Sequence, residues 1–438
     1  MQKKTINVGL LGFGTIGTGV VRLFQKNAEL IAHRTGVNLQ LARIADLDTT
    51  SDRGVTLPAG MLTNDADALL TDPEIDLVIE LIGGYTPALQ FILKAIAHGK
   101  HIVTANKALM AVHGQEIIAA ASRAGVDVMF EAAVGGGIPV ISAIKENLCA
   151  NRFSTVLGIL NGTCNFILTK MTDEKGDFAP VLAEAQSLGY AEADPTFDIE
   201  GVDTAHKIAL LAAICFGTQI DFSQVYTEGI TGITAVDIDF AARLGYKIKL
   251  LAIGKQREDS VEVRVHPTML PVDYQLAEVD GVFNAVRLSG DFLGPAMFYG
   301  RGAGMEATAS AVVGDVMAIG RNIAVGAAGR TPIMGCWPQH IAQQPICPMS
   351  EIISRYYLRV TAVDQPGVLA KIATILGQYN ISIQSMLQPE CHAADSVPIV
   401  LMTHAAREAD INQALLKIDA LDIIAQPTCL IRVENDLD

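Results

Sequence analysis

No stretch of this sequence approaches the ~18 consecutive apolar residues of a membrane-spanning helix, although 50% of its 438 residues are hydrophobic. No membrane partner is expected. There is no basic patch with interleaved aromatics, and the formal net charge is −15; both argue against nucleic acid as a partner. The cysteines at positions 149, 164, 215, 336, 347, 391 and 429 are scattered, odd in number and never in a CxxC pair. Reduced, mostly buried thiols in a cytoplasmic protein are the expectation. The start, MQKKTINVGLLGFG, has a short apolar run, but it breaks at glycines and lacks a small-residue cleavage site. It does not read as a signal peptide. The chain has one tryptophan, Trp337, no low-complexity tract and no internal repeat.

What is present is an alternation. Residues 1–135 interleave strand patterns (Ile6–Leu11, Leu39–Ala45, Leu77–Leu81, Ile102–Thr104, Val126–Phe130) with helical ones (Thr15–His33, Pro87–His98, Gln115–Ala124). That order implies an α/β fold with a Rossmann-type, doubly wound parallel sheet. Residues 136–304 read as a second, α+β domain, with helices at Pro139–Asn147, Phe178–Leu188 and Thr204–Phe216 and strands at Val156–Leu160, Lys247–Lys255, Val261–Pro267 and Ala285–Gly290. A helix over 305–325 is expected to return to the first domain. Residues 326–352 read as a linker. Residues 353–438 follow the order βαββαβ, the ferredoxin-like arrangement.

Gly12, Gly14 and Gly17, with Thr15 and Ile16 between them, form GFGTIG after a strand and at the opening of a helix. The first glycine permits the tight turn, the second lets the backbone approach a pyrophosphate, and the third lets helix and strand pack closely. The motif fits NAD(P) or FAD, and a plain glycine-rich turn is the alternative. At the end of the second strand, in RIADLD, Asp46 would bind the ribose 2′-hydroxyl of NAD, whereas Arg43 or Arg53 would favour the phosphate of NADP. Gly83–Pro87 (GGYTP) and HIVTANK also follow buried strands, so Thr104, Asn106 and Lys107 fall where a nicotinamide should lie. Lys107 could orient a substrate carboxylate or take part in proton transfer; a solvated lysine is the alternative. In EAAVGGGIP, Glu131–Pro139, exposed carbonyls and one carboxylate would suit a hard cation, or the glycines would serve as a hinge.

The segment GYAEADPTFDIEGVDTAHK, Gly189–Lys207, sets Glu192, Asp194, Asp198, Glu200 and Asp203 ahead of Lys207 and runs into an apolar helical pattern. Asp203 and Lys207 are four residues apart and share a helix face. This reads as a polar site in a core, or as a solvated acidic loop with Asp198 or Asp203 as an N-cap. His206 falls on another face and reads as a packing or surface residue. Cys164, in NGTCNF, would suit a cysteine-dependent semialdehyde dehydrogenase only if a histidine base reached it.

GFGTIG, VTANK, EAAVGGGIP, GYAEADPTFDIEGVDTAHK and YGRGAGMEATASAV occur in this order, and over roughly residues 5–325 the chain closely resembles homoserine dehydrogenase. The tail, LRVTAVDQPGVLAKIATIL followed by NISI, resembles an ACT regulatory domain. The resemblance implies reversible reduction of L-aspartate 4-semialdehyde to L-homoserine with NAD(P)(H), on the route to threonine, methionine and isoleucine. It makes Lys207 the proton donor, Asp203 and Glu192 substrate carboxylates, Gly189 a backbone contact, and Lys107 a lysine lining the cofactor and substrate site. It assigns a monovalent cation, expected to be Na+, to Glu131, Val134, Gly136 and Ile138, and a nicotinamide-nucleotide contact to Gly304. For the tail it implies an amino-acid effector, expected to be threonine, at Asp364, Gly367, Val368 and Leu369, in a homodimer or homotetramer. Many family members carry an arginine just before the acid of the second strand. Here that position is Ala45, which leaves NAD against NADP open. An amino-acid sensor that binds nucleotide without turnover is the rival from another class; intact Lys207, Asp203 and Glu192 argue against it.

Overall fold

The computed structural model describes residues 4–389 and 396–434; Cys391 lies outside them. The first sheet has six parallel strands: β1 (Thr5–Leu11), β2 (Asn38–Ala45), β3 (Leu62–Thr63), β4 (Leu77–Glu80), β5 (His101–Thr104) and β6 (Val128–Met129). Their order is β3-β2-β1-β4-β5-β6, the doubly wound order with its switch point between β1 and β4. Short apolar runs buried on both faces, such as LVIE of β4, are what a sheet covered on both sides requires. The helix Thr15–Thr35 lies against the returning helix Met305–Val325 in one buried cluster with β1 and β2. Gly19 lets them approach: a Cβ there would lie 2.7 Å from Met305.

The second sheet contains β7 (Phe153–Ile159), β8 (Tyr226–Thr227), β9 (Tyr246–Gln256), β10 (Val261–Pro271), β11 (Phe283–Gly290), β12 (Gly294–Arg301), β13 (Ile353–Val363), β14 (Ile383–Leu387), β15 (Ser396–Thr403), β16 (Ala406–Arg407) and β17 (Ile424–Val433). Its main path is β12-β11-β7-β9-β10-β17-β13-β15-β14. The C-terminal unit has the expected βαββαβ order, with helices Val368–Gln378 and Glu408–Asp419. It is joined to the substrate-domain sheet rather than hung from a linker. β17 pairs with β10 in parallel, Thr268 opposite Arg432 and Met269 opposite Val433. The stretch 326–352 is irregular yet tethered by bridges from Thr218 to Ala342 and from Val261 to Ile346.

Several elements differ from the sequence reading. The helix expected at Gln115 starts at Lys107, because the Asn106 side chain caps it by accepting from the Leu109 N–H. The helix Gly162–Glu174 and strand β12 were not anticipated. Pro139–Asn147 splits into a short α turn, Val140–Ser142, and a π turn, Ala143–Asn147. The helix Val202–Phe216 is capped by neither Asp198 nor Asp203. Its N-cap is Gly201 at φ 81°, with no side-chain cap.

Candidate active site

The glycine loop is shaped for a dinucleotide. Gly12 has φ 92°, and a Cβ there would meet the Leu81 backbone at 2.7 Å. A Cβ on Gly17 would lie 2.2 Å from the Gly12 carbonyl oxygen, whereas one on Gly14 would meet nothing within 4 Å. The crowded glycines hold the turn, and the open one leaves room for a ligand. Gly14 and Thr15 are exposed, Ile16 is half-buried, and the helix start carries no side-chain cap, so its first N–H groups are open to an anion.

Asp46 sits beside this loop. Its carboxylate accepts the Phe13 N–H at 2.5 Å and the Asp48 N–H at 2.9 Å. Arg53 lies 3.7 Å from Asp46 and 3.3 Å from Asp48, with its guanidinium 4.8 Å from the Phe13 ring centroid. It donates to the carbonyls of Phe13, Ser51 and Asp48. Arg43 instead reaches Asp72 at 3.6 Å. Acid and arginine therefore meet beside the glycine loop.

At the next strand ends, buried Glu80 accepts from the Ile82 and Gly83 N–H groups and from the Thr104 hydroxyl at 2.7 Å. The Thr104 side chain is thus committed to the β4–β5 joint. Asn106 donates to the Gly84 carbonyl. Gly304, exposed at φ 109°, opens the helix Met305–Val325.

Lys107 extends from the first domain to Asp203 of the second at 2.9 Å. Lys207 Nζ donates to Asp203 at 2.6 Å and to the Leu160 carbonyl at 2.7 Å. Asp203 is 3% exposed and Lys207 7%. Burial disfavours charge on all three groups, but the outcome differs. On Asp203 the two lysines prevail, and its carboxyl is held below the ordinary range. On Lys107 the acids prevail and its ammonium is strengthened. On Lys207 burial prevails over Asp203, with repulsion from Lys107 added, so its pKa falls below the ordinary lysine value. The proton affinities of the two lysines are therefore shifted in opposite directions.

Glu192 is exposed and close enough to Lys107 to stabilise its charge. Gly189, also exposed, has φ 74° and ends the turn after Phe178–Ser187. Three participants were missed in the sequence. Asn161 donates to Asp198 at 2.7 Å and to Asp203 at 2.9 Å. Thr163 donates to the Tyr190 carbonyl at 2.6 Å and to Asp198 at 3.2 Å. Asp198, which reads from sequence as a helix cap or a solvated acid, faces this cluster. NGTCNF drew attention only to its cysteine, although an asparagine between a strand and a helix start signals a cap. Asp194 takes the loop role, bonding the Thr196 N–H and hydroxyl.

Cys164 is fully buried. Burial and neighbouring acids push its thiol well above the ordinary value, and its Sγ donates to the Asp198 carbonyl. A nucleophilic cysteine needs the reverse environment. His206 is a packing residue, stacked between Phe197 and Phe222 at 5.5 and 4.1 Å, with burial lowering its pKa to about 4. A groove of about 1120 Å3 between the helices Lys107–Ala124 and Val202–Phe216 includes none of the cluster residues.

Buried Glu131 accepts the Ile141 and Ser142 N–H groups at 2.7 Å each. The loop after it is tight: a Cβ on Gly136 would lie 2.5 Å from the Gly302 carbonyl oxygen. Val134 and Ile138 are buried in the same turn. Both Glu131 oxygens accept an N–H and the Ile138 carbonyl accepts the Val140 N–H at 2.9 Å; the loop offers oxygen donors, the kind a hard cation takes.

In the C-terminal unit, Asp364 and Gly367 are exposed. Gly367, at φ 91°, caps the helix Val368–Gln378 without a side-chain bond. Val368 is buried and Leu369 half-buried, so their side chains belong to the core while the helix start faces out.

A dinucleotide loop at the switch point of a doubly wound sheet, facing a buried lysine–carboxylate cluster on a second domain, defines a nicotinamide-dependent oxidoreductase. Family models agree with that class. The NAD-binding domain of homoserine dehydrogenase matches residues 12–131, homoserine dehydrogenase itself 139–317, and the ACT domain 356–422. The chain is 48% identical over 435 residues to the homoserine dehydrogenase of Pseudomonas aeruginosa, covering 99% of both. The crystal structure of a homoserine dehydrogenase from Thiobacillus denitrificans superposes with TM-score 0.93 at 48% identity, again covering 99% of both chains. One from Staphylococcus aureus gives 0.76 at 32% identity, with 99% of this chain and 100% of that one covered. The chain belongs to the homoserine dehydrogenase family.

Proposed function

We propose that the chain interconverts L-homoserine and L-aspartate 4-semialdehyde, with Lys207 moving the proton. A bound nicotinamide supplies the hydride for reduction and takes it in oxidation. In reduction the aldehyde oxygen gains negative charge as its C=O bond becomes C–O, and the Lys207 ammonium both stabilises that charge and delivers the proton. In oxidation neutral Lys207 accepts the hydroxyl proton. Asp203 and Glu192 offer negative charge to the substrate ammonium, Lys107 orients its carboxylate, and Gly189 contributes backbone. No covalent intermediate is required.

The observation that carries this reading is the Lys107–Asp203–Lys207 arrangement, two lysines on one buried carboxylate with opposite shifts in proton affinity. The test is NAD(P)H oxidation with L-aspartate 4-semialdehyde. Absence of turnover with both coenzymes would sink it, and a nucleotide-binding amino-acid sensor would take its place.

The same proposal extends to the finer points. Gly12, Gly14, Thr15, Ile16, Gly17, Asp46, Thr104, Lys107 and Gly304 hold the coenzyme. Asp46 favours NAD, while Arg53 beside it gives NADP a foothold. A monovalent cation, Na+ by preference, is held by Glu131 and the carbonyls of Val134, Gly136 and Ile138. Threonine, the end product, acts at Asp364, Gly367, Val368 and Leu369. The open helix start there suits an amino-acid carboxylate. The location is cytoplasmic; no helix among the described residues is long and apolar enough to cross a membrane. The assembly is a homodimer or homotetramer, supported by the edge strand β12, where Met297 and Tyr299 are exposed, and by exposed Phe292 just before it.

A further inference from the structure

Asn161 links three segments that the sequence separates. It lies just beyond β7, and its Oδ1 accepts the Cys164 N–H at 2.8 Å, capping the helix Gly162–Glu174. That bond fixes which way the amide points, because the oxygen must face the helix. The two hydrogens of Nδ2 are then directed away, one to Asp198 at 2.7 Å and one to Asp203 at 2.9 Å. Asp198 belongs to the short helix Thr196–Ile199 and Asp203 to Val202–Phe216. Asn161 is 6% exposed and Asp203 3%, so water offers little substitute for these donors.

Two carboxylates this close repel, and Asp203 is one of the influences that raise Asp198. The Asn161 amide, donating to both acids, offsets that repulsion. The other charged and titratable groups facing the pair are Lys107, Lys207, His206 and Cys164, with Glu192 acting on Lys107 and Glu200 on Cys164. Asn161, by contrast, is neutral and donates to both acids.

We propose that Asn161 is a positioning residue, whose amide holds Asp198 and Asp203 at fixed spacing as a pair of anions facing the two lysines. This rests on the dehydrogenase reading above. It deepens that reading by assigning the geometry of the acids to a residue outside the GYAEADPTFDIEGVDTAHK segment.

The test uses Asn161→Ser and Asn161→Asp in the full chain. Serine and aspartate cap helices about as well as asparagine, so a purely capping role predicts wild-type behaviour from both. The positioning role predicts that kcat/KM for homoserine falls roughly 10- to 100-fold, since a lost hydrogen bond to a charged group has that scale. It also predicts that the acidic limb of the pH profile moves upward, because one acid of the unsupported pair takes a proton at higher pH. Asn161→Asp should show the larger shift, since it adds a third carboxylate. If that variant fails to fold, Asn161→Ser still decides the question. Profiles that superimpose on wild type, with kcat/KM retained, overturn the Asn161 assignment and leave the dehydrogenase standing. A wild-type chain that never turns over homoserine overturns both.

Discussion

Two of the places where the chain buries charge differ in their choice of cation. In the active-site cluster both cations are lysines, and burial lowers the proton affinity of Lys207. At the seam between the second domain and the C-terminal unit they are mainly arginines. Arg432 of β17 donates to Glu408 at 2.5 and 3.1 Å, to Glu228 at 2.6 Å and to the Tyr226 hydroxyl at 3.1 Å. Arg359 of β13 grips Asp237, which is fully buried, at 2.6 and 3.0 Å, and Tyr357 adds a hydroxyl at 3.1 Å. The carboxylates drive the proton affinity of both arginines up against burial, through direct hydrogen bonds. A lysine in a dry pocket can surrender its proton, whereas a guanidinium keeps its own and binds carboxylates along two directions. The first arrangement suits a site that transfers a proton; the second suits a joint that must hold.

The sharpest way to break this contrast is to exchange the cations. Lys207→Ala should lower kcat for homoserine oxidation about 1000-fold, the scale of general acid–base catalysis, with the fold retained by circular dichroism. Lys207→Arg should be no better, because arginine stays protonated. Substantial activity in Lys207→Arg would show that charge alone suffices and that Lys207 does not move the proton.

At the seam the damage should appear in stability first. Arg432→Leu leaves Glu408, 1% exposed, without its counter-ion, a loss on the order of 3 kcal/mol. A lower unfolding midpoint is expected, and adding Glu408→Gln should restore part of it by removing the orphaned charge. The seam also adjoins the site. Two residues after Glu228, the Ile230 N–H donates to the Ile199 carbonyl at 2.8 Å, next to Asp198. KM for homoserine should therefore rise in Arg432→Leu while the pH profile stays put. An unchanged midpoint would mean that the seam is not a structural joint.

How much of this was legible depended on distance along the chain. GFGTIG and its strand–turn–helix setting are local, so sequence gave their geometry in advance. Asp203 and Lys207 are one helical turn apart, so their shared helix face was legible, whereas the choice between a buried site and a solvated acidic loop was not. Which influence wins on Lys207 was not legible, because Lys107 arrives from another domain and burial depends on the whole core. Asn161 meets acids 37 and 42 residues away, and Arg432 meets Glu228 across 204 residues. No local pattern encodes either contact. The C-terminal unit was readable as βαββαβ, but its attachment through β10 and β17 was not, since strand pairing between units leaves no periodicity. Deleting residues 353–438 would strip that partner from β10, so substitutions at the exposed loop are the cleaner test of regulation. Asp364→Ala should blunt threonine inhibition with kcat unchanged, and inhibition equal to wild type would remove the loop from the effector site.

A smaller effect tests why Lys207 titrates at all. Lys107 repels its charge and draws on the same carboxylate. Removing that neighbour should raise the proton affinity of Lys207. Oxidation needs neutral Lys207, so its rate rises with pH through this group, and reduction falls over the same range. In Lys107→Met the rising limb of kcat for oxidation should move to higher pH, separately from any rise in KM. A limb that moves down, or not at all, would mean that burial alone sets Lys207.

The smallest expected effect is in coenzyme choice, where arginine and acid meet in one place. Asp46 offers acceptors to a ribose hydroxyl, and Arg53 offers positive charge to a phosphate. Arg53 is fixed by three backbone carbonyls and partly neutralised by Asp46 and Asp48. Such a guanidinium attracts phosphate less than a free one, because any new anion competes with two carboxylates already there. Arg53→Ala should then cost only a few-fold in kcat/KM for NADPH, on the scale of an exposed ion pair, and less for NADH. Asp46→Ala should cost NADH more than NADPH, since it removes the ribose acceptor and frees Arg53 at once. If both substitutions move the two coenzymes equally, the ribose is not read at this strand end.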